Sequence, residues 1–214
     1  LSAAGPGEPS IGDPYIPRLG NTGYDVVTYT VKARIDPVAK HVAADTRVQA
    51  RSVVSDLTRL SLDFHRVVGD AGLALSVVEV DGAPAPFVQP AESEKLWIDL
   101  PRPMAEGEAF EMHFVYAGTP RRVSGGLLPH SQDTMYAISC PSGTGNWIPV
   151  NDHPRDKAVW RFELTVPTPF RVTANGVRLS EHVGADETTA VFEMRQPMAT
   201  YLATAAVGRY RTAE

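Results

Sequence analysis

The sequence predicts an all-β protein built from twisted, mostly antiparallel sheets in a sandwich or saddle-like arrangement, with little helix. Several short segments alternate apolar and polar residues, and 18 prolines and 17 glycines interrupt the chain at frequent intervals. No segment keeps an apolar period of 3.6 residues over three turns, and no repeat of about 20 to 50 residues indicates a solenoid or propeller. With 214 residues, 43% of them hydrophobic and 21% charged, the chain can bury a sizeable core.

The first element is a strand predicted over Tyr24–Asp36, where apolar residues occupy every second position from Val27 to Ile35. The segment Pro37–Lys40 then predicts a turn, and the alternation resumes over Asp45–Ser55. These two strands are expected to pair as a hairpin.

Nine further strands follow from the same pattern. They are Arg59–Phe64, Leu73–Val80, Lys95–Asp99, Ala109–Ala117, Thr134–Ile138, Lys157–Val166, Arg171–Ala174, Thr188–Met194 and Tyr201–Val207. The dipeptides Asp81-Gly82 and Asn175-Gly176 tolerate positive φ and each predicts a tight reversal between strands. The glycine-bearing segment Gly125–Pro129 predicts a loop within a surface connection over Arg121–Asp133.

Charge, hydropathy and cysteine content exclude several function classes. A net charge of −5 gives no basic footprint for nucleic acid, and no apolar run reaches the roughly 18 residues of a membrane span. The single cysteine, Cys140, excludes an internal disulfide. Residues 1–10 have the composition of a flexible leader or linker, which favours a secreted or extracellular protein over a cytoplasmic one.

Four motifs together carry a resemblance to a known family. They are Gly12-Asp13-Pro14-Tyr15, Asn21–Val26, the run Trp147-Ile148-Pro149-Val150-Asn151-Asp152-His153-Pro154 closed by Asp156-Lys157, and Ala199–Thr204 with Val207-Gly208. The chain resembles the amino-terminal domain of the aminopeptidase N-like zinc metallopeptidases, which include membrane alanyl aminopeptidase and leukotriene hydrolase, over about residues 11 to 210. The resemblance implies one β domain over 11–214, without the catalytic zinc domain.

In that family the zinc is held by an H-E-x-x-H motif and a further glutamate, and these groups polarise the scissile carbonyl and activate a water. No H-E-x-x-H occurs here, and the six histidines are scattered. The resemblance therefore implies a non-catalytic domain that packs on its own catalytic domain, shapes the pocket for the amino terminus of a peptide substrate and binds no cofactor itself. The alternative is a free-standing β-sandwich binding or scaffold module without a peptidase partner.

The resemblance also singles out Cys140. Nine positions before the proline equivalent to Pro149, the family usually carries a glutamate that holds the free α-amino group of the substrate. A carboxylate suits this task because a charged hydrogen bond to an ammonium group is strong and directional. Here that position is Cys140, so amino-terminus selection is expected to be weakened or carried by the other domain.

The segment from Trp147 to Lys157 is predicted to be a rigid structural loop that leads into a long strand. Pro149 and Pro154 fix φ at two places, and Asn151 and Asp152 are interpreted as forming Asx turns with nearby backbone amides.

Three chemical alternatives are weaker. Cys140 could be a nucleophile paired with His153 and Asp152, but a lone cysteine in a β protein is more often a small buried hydrophobe. Asp152 and His153 could also ligate zinc, although the usual ligand spacing is absent. Trp97, Trp147 and Trp160 could stack on sugars, but tryptophans in strand-like segments usually pack in the core.

Overall fold

The computed structural model describes residues 7–210. Within that range the strands are β1 Tyr24–Asp36, β2 His41–Ser52, β3 Leu57–Asp63, β4 Gly72–Val80, β5 Ala83–Pro84, β6 Phe87–Val88, β7 Lys95–Met104, β8 Ala109–Thr119, β9 Gly126–Pro129, β10 Met135–Ile138, β11 Lys157–Pro167, β12 Arg171–Ala174, β13 Val177–Val183, β14 Glu187–Ala199 and β15 Ala205–Gly208. The helical content of these residues is two short 3-10 turns, Thr144–Asn146 and Thr200–Leu202. The prediction of an all-β protein is confirmed. None of the described helical turns is long and apolar enough to cross a membrane.

The strands form three sheets. The largest has eight strands in the order β13-β14-β11-β1-β2-β8-β4-β5, a second has the order β12-β15-β10-β9, and a third has the order β3-β7-β6. The β1–β11 pair in the middle of the large sheet is parallel. The other pairings of these strands are antiparallel, as the sequence predicts.

The core is centred on an aromatic stack beside the β1–β11 pair. Tyr29 lies opposite Trp160 in the ladder, and their rings stack with centroids 4.1 Å apart. Trp160 continues to Phe162 at 5.6 Å, and Phe162 lies 6.4 Å from Trp147. All four side chains are buried, and together they are called the aromatic stack below. The sugar-platform alternative fails for Trp147 and Trp160 because neither indole reaches the surface.

Most strand predictions are confirmed, and the bounds of the first are confirmed to the residue. The alternation differs at one end, because a register shift between Val26 and Thr28 buries Val26 and leaves Val27 exposed. The β1–β2 hairpin forms as predicted. Asp81 and Gly82 adopt φ values of 51° and 76° and reverse the chain from β4 into β5, because both residues tolerate this left-handed conformation.

Two connections differ from the prediction. Asn175-Gly176 does not close a hairpin, because β12 belongs to the four-stranded sheet and β13 to the eight-stranded one. The segment Gly126–Pro129 is a strand rather than a loop, since it pairs with β10. In the first case the pairing of β12 with the distant β15 overrides the local turn signal. In the second, Gly126–Pro129 pairs with the next strand along the chain.

The predicted strand Tyr201–Val207 is only partly correct. Thr200–Leu202 forms a 3-10 turn, and the strand begins at Ala205. The Thr200 hydroxyl and carbonyl bond to Asp152 and Thr144 respectively, and these contacts turn the chain before it enters β15.

The amino-terminal residues of the described range are attached to the domain. The Gly7 amide donates to the Arg59 carbonyl at 2.8 Å, and Glu8 exchanges hydrogen bonds with Thr22. Residues 1–6 of the predicted leader lie outside the described residues.

Candidate functional site

A buried polar cluster lies under the Trp147–Lys157 segment. It consists of Asn21, Asp63, Lys95, Asn151 and Asp152, all with less than a tenth of their surface exposed. Lys95 begins β7 and Asp63 ends β3, so the antiparallel pairing of these strands places the two side chains together. The Lys95 Nζ lies 2.7 Å from the Asp63 Oδ1. The cluster therefore has a paired charge at its base, as a buried charge requires.

Asn21 and Asn151 connect this ion pair to the segment above. The Asn21 Nδ2 donates to the Asp63 Oδ2 at 2.9 Å, and the Asn21 Oδ1 accepts from Lys95 at 3.1 Å. The Asn151 Oδ1 accepts from the Asn21 backbone amide at 2.8 Å, while the Asn151 amide donates to the Tyr29 hydroxyl at 3.0 Å. The Asx-turn interpretation is wrong for Asn151, because its side-chain oxygen bonds to a residue 130 positions away.

Asp152 holds two neighbouring segments at once. Its Oδ2 accepts from the Gly143 amide at 2.9 Å, and its Oδ1 accepts from the Thr200 hydroxyl at 2.7 Å. Its own amide donates to the Asp63 Oδ2 at 3.0 Å. The Asx-turn interpretation therefore also fails for Asp152. Burial, reinforced by the nearby Asp63 charge, raises the pKa of Asp152 to about 6.

Two further carboxyl groups share this environment. Burial and then the Asp25 charge raise the pKa of Asp156 to about 7, although Asn151 and the Val26 amide donate to its carboxylate. Burial also raises the pKa of Asp63, against the opposing effect of Lys95. The Trp147–Lys157 segment thus contains or contacts three carboxyl groups whose pKa values are raised above the ordinary value.

His153 is buried beside the cluster. Its Nδ1 accepts from the Arg155 amide at 3.1 Å, and its Nε2 lies 3.5 Å from the Asp13 Oδ2. Asp13 belongs to the first of the four motifs, so the structure brings the amino-terminal motif onto the central one. No group of three or more His, Cys, Asp and Glu side chains in residues 7–210 is placed to hold a metal ion, and the metal hypothesis for Asp152 and His153 gains no support.

Cys140 is exposed on the loop that follows β10. The expectation of a small buried hydrophobe is wrong, because the adjacent Ser139 takes the buried position. The hydrogen bonds of the described residues include none between the Cys140 thiol and His153, which is buried. The structure therefore does not assemble the nucleophile suggested by the sequence.

Tight backbone packing holds the end of this loop. Gly143 has a φ of 122°, and a Cβ at this position would lie 2.8 Å from the Cα of Gly125. Only glycine fits such an approach without displacing the neighbouring chain. The end of the loop therefore packs closely against Gly125-Gly126 and is also hydrogen-bonded to Asp152.

A cavity of about 550 Å³ opens beside the loop. Its lining includes Ser142, Gly143 and Asp152 together with Asp63 and Lys95. The polar cluster therefore supports the loop that carries Cys140 and also lines this cavity.

The remaining residues of the predicted signature loop have structural positions. Trp147 and Pro149 are buried, Pro154 is half-buried, and Lys157 is exposed at the start of β11. The segment crosses from the loop after β10 to the central sheet, and Asn151 and Asp152 fix its path.

Comparison with known proteins decides the family. Residues 25–202 match the family described as the peptidase M1 N-terminal domain. This chain belongs to that family. The resemblance predicted from the four motifs is therefore confirmed, and the chain is an M1 N-terminal domain.

Solved structures agree with this assignment. A two-domain M1 zinc metallopeptidase mutant bound to L-arginine is 30% identical, with a TM-score of 0.82 over 93% of this chain. The M1 zinc metallopeptidase from Deinococcus radiodurans is 29% identical with the same TM-score and coverage, as is its mutant bound to a Tyr-Ser-Ala substrate. This chain spans about 45% of the length of each. None of the curated protein sequences matches it.

Sequence reasoning missed part of this M1 N-terminal domain's polar cluster. Asp63 and Lys95 were placed in or at the start of predicted strands without a role. The sequence feature that could have identified Asp63 is a charged residue within an apolar run, since Asp63 lies in Leu60-Ser61-Leu62-Asp63-Phe64. A carboxylate in such a run needs a buried partner, but the sequence does not identify which lysine supplies it.

Proposed function

We propose that this M1 N-terminal domain packs on a zinc-dependent aminopeptidase catalytic domain and helps to shape the pocket for the amino terminus of a peptide substrate. The proposal assigns residues 11–214 to one domain, places the zinc in the partner domain, and assigns the chain to a secreted or extracellular protein. The observation that carries it is the match of nearly the whole chain to less than half of two M1 zinc metallopeptidase structures that are described as two-domain.

The surface around Cys140 supports a docked partner. Ile138, two residues before Cys140, is 56% exposed, and Leu202 is 44% exposed. The two segments that carry them are linked, because the Thr144 hydroxyl donates to the Thr200 carbonyl at 2.8 Å. Ile138 ends β10 and Leu202 ends the 3-10 turn, and exposed apolar side chains on segments that are bonded to each other are compatible with a covering partner domain.

Cys140 is the proposed contact with the substrate. A neutral thiol does not provide the charged hydrogen bond that a carboxylate gives to an ammonium group. The domain is therefore expected to select free amino termini weakly, with the main contribution from the catalytic domain.

The first test is to read the gene beyond the codon for Glu214 and to express its full-length product. We expect a segment that contains H-E-x-x-H, and hydrolysis of aminoacyl anilides that a chelator abolishes. The 214-residue chain alone is expected to bind no stoichiometric zinc and to release no product. A full-length product without a zinc motif would instead support the free-standing binding module.

The role of Cys140 is tested in the same full-length product. Cys140→Glu restores a carboxylate, and we expect KM for substrates with a free amino terminus to fall about tenfold because a charged hydrogen bond forms. Ser131→Glu adds the same charge at another exposed position and serves as the matched control. Equal effects of both variants, or an equal gain with amino-blocked substrates, would refute the assignment.

A further inference from the structure

The loop that carries Cys140 is held from one side by a single carboxylate. Gly143 ends the loop, and its amide donates to the Asp152 Oδ2 at 2.9 Å. The same carboxylate accepts the Thr200 hydroxyl through its other oxygen at 2.7 Å. Asp152 thus joins the Cys140 loop to the Thr200–Leu202 turn.

A second contact closes this connection into a ring. The Thr144 hydroxyl donates to the Thr200 carbonyl at 2.8 Å, so Thr200 bonds to Asp152 with its side chain and to Thr144 with its backbone. Thr144, Asp152 and Thr200 are all buried. Bonds between buried groups are shielded from water, so the ring restricts the loop more than surface contacts would.

The backbone of Asp152 is itself held by the Asp63–Lys95 ion pair. Its amide donates to the Asp63 Oδ2 at 3.0 Å, and Asp63 is paired with Lys95. The ion pair therefore supports the backbone at Asp152, and the Asp152 carboxylate supports the loop.

We propose that Asp152 is a positioning residue, which acts through Gly143 and Thr200 to hold the Cys140 loop in the orientation that receives a substrate amino terminus. The role in substrate binding rests on the proposed function, whereas the hold on the loop is a property of the chain alone. Asp152 does not contact the substrate in this scheme.

The hold is strongest with an ionised carboxylate. Both Asp152 oxygens accept hydrogen bonds, and such bonds are stronger to a charged oxygen than to a neutral one. A protonated Oδ1 can still donate to the Thr200 hydroxyl, but the Gly143 amide then has only an uncharged acceptor. The other charged groups that face Asp152 are Asp63 on β3 and Lys95 on β7. The same cavity is also lined by Arg18, His65, Glu92 and Glu94. Since burial raises the pKa of Asp152 to about 6, acidification is expected to weaken the hold on the loop near this pH.

Cys140 provides a reporter in the chain itself, because it is the single cysteine and it is exposed. A nitroxide label on Cys140 reports loop mobility by electron paramagnetic resonance. We expect Asp152→Asn to shorten the rotational correlation time about twofold at pH 7.5, since a neutral amide oxygen is a weaker acceptor for the Gly143 amide than a carboxylate and the Thr200 hydroxyl can no longer donate to a second oxygen. Asp70→Asn, an exposed change of the same type, is the matched control.

Two further measurements remain decisive if Asp152→Asn fails to fold. Thr200→Val removes one hydroxyl with little change in shape, and we expect a smaller gain in mobility. In the unsubstituted chain, mobility is expected to rise as the pH falls through about 6. A His65→Gln variant that keeps this transition excludes His65 as its source. A label placed by Ala74→Cys in a Cys140→Ser background should show no such change.

The substrate role is read in the full-length product. In the Cys140→Glu background, where the loop carries the charged contact, we expect Asp152→Asn to cancel most of the roughly tenfold fall in KM and to leave kcat within about twofold, because the chemistry is assigned to the other domain. Unchanged label mobility in the chain overturns the proposal. Increased mobility with unchanged KM overturns the substrate role of the loop, and an inactive unsubstituted full-length product counts against the proposed function instead.

Discussion

The aromatic stack and the polar cluster lie in contact, yet they stabilise the domain by different means. The Tyr29 ring packs on Trp160, while the Tyr29 hydroxyl accepts from the Asn151 amide of the cluster. The stack depends on buried apolar area, which tolerates apolar substitutions that roughly conserve volume. The cluster depends on directional partners, and each unpaired group carries the full cost of its desolvation. The comparison predicts that substitutions of similar size are more harmful in the cluster than in the stack.

The largest expected effect is that of Lys95→Met. The change leaves the Asp63 carboxylate buried without its ion pair and removes the hydrogen bonds from Lys95 to Gly20 and Asn21. We expect the free energy of unfolding to fall by about 3 to 5 kcal/mol, measured by urea denaturation.

The matched control is Lys32→Met, since Lys32 is exposed and its partner Glu163 lies 3.7 Å away. This control should change the free energy of unfolding by less than about 0.5 kcal/mol. A loss below about 1 kcal/mol for Lys95→Met would show that the cluster is not held by this ion pair.

The next effect is a dependence of the free energy of unfolding on pH that arises from Asp156, which is hydrogen-bonded to Asn151 of the cluster. The pKa of Asp156 is about 7 in the folded chain, against an ordinary value of 3.8. The folded state therefore binds more protons than the unfolded state between these values, and the free energy of unfolding falls as the pH rises through this window. From pH 5 to pH 8 we expect a loss of about 2 kcal/mol from this group.

The measurement compares urea denaturation of the unsubstituted chain and of Asp156→Asn at several pH values. The variant should lose most of this slope, while the contribution of Asp152 remains in both chains. Equal slopes in the two chains would contradict the assignment of the pH dependence to Asp156.

The smallest expected effect is that of Phe162→Leu in the aromatic stack. The change keeps an apolar side chain at a fully buried position and removes part of the contacts with Trp147 and Trp160. We expect a loss of about 1.5 kcal/mol in the free energy of unfolding, measured under the same urea conditions. If this loss exceeded that of Lys95→Met, the contrast between the two regions would be wrong.

The sequence predicts strands with a buried apolar face better than it predicts exposed strands or buried polar contacts. The strand Tyr24–Asp36 is found to the residue because the alternation of its side chains records which face is buried. By contrast β13 was not predicted. All seven of its residues are exposed, so no buried face marks it, and its ladder with β14 holds it in place.

The candidate site was only partly predictable for a related reason. The four motifs identify the family and mark Asn21, Asn151 and Asp152, but several partners of these side chains lie far away in sequence. The Asn21–Asn151 bonds span 130 residues, and Asp152 reaches Thr200 across 48. Local reasoning therefore assigned Asn151 and Asp152 to turns, since turn chemistry is the only partner visible nearby.

The parallel pairing of β1 with β11 sets the order in which the domain can be completed. Residues 37–156 lie between these two strands, so all of them must be synthesised before β1 can pair with β11. Until then β1 pairs only with β2 and presents an open edge rich in β-branched and aromatic residues, a surface on which nascent chains can associate. Closure of so long a loop is also slow compared with hairpin formation. During synthesis the β1 edge of the large sheet therefore has no partner until residues 157–167 have been made.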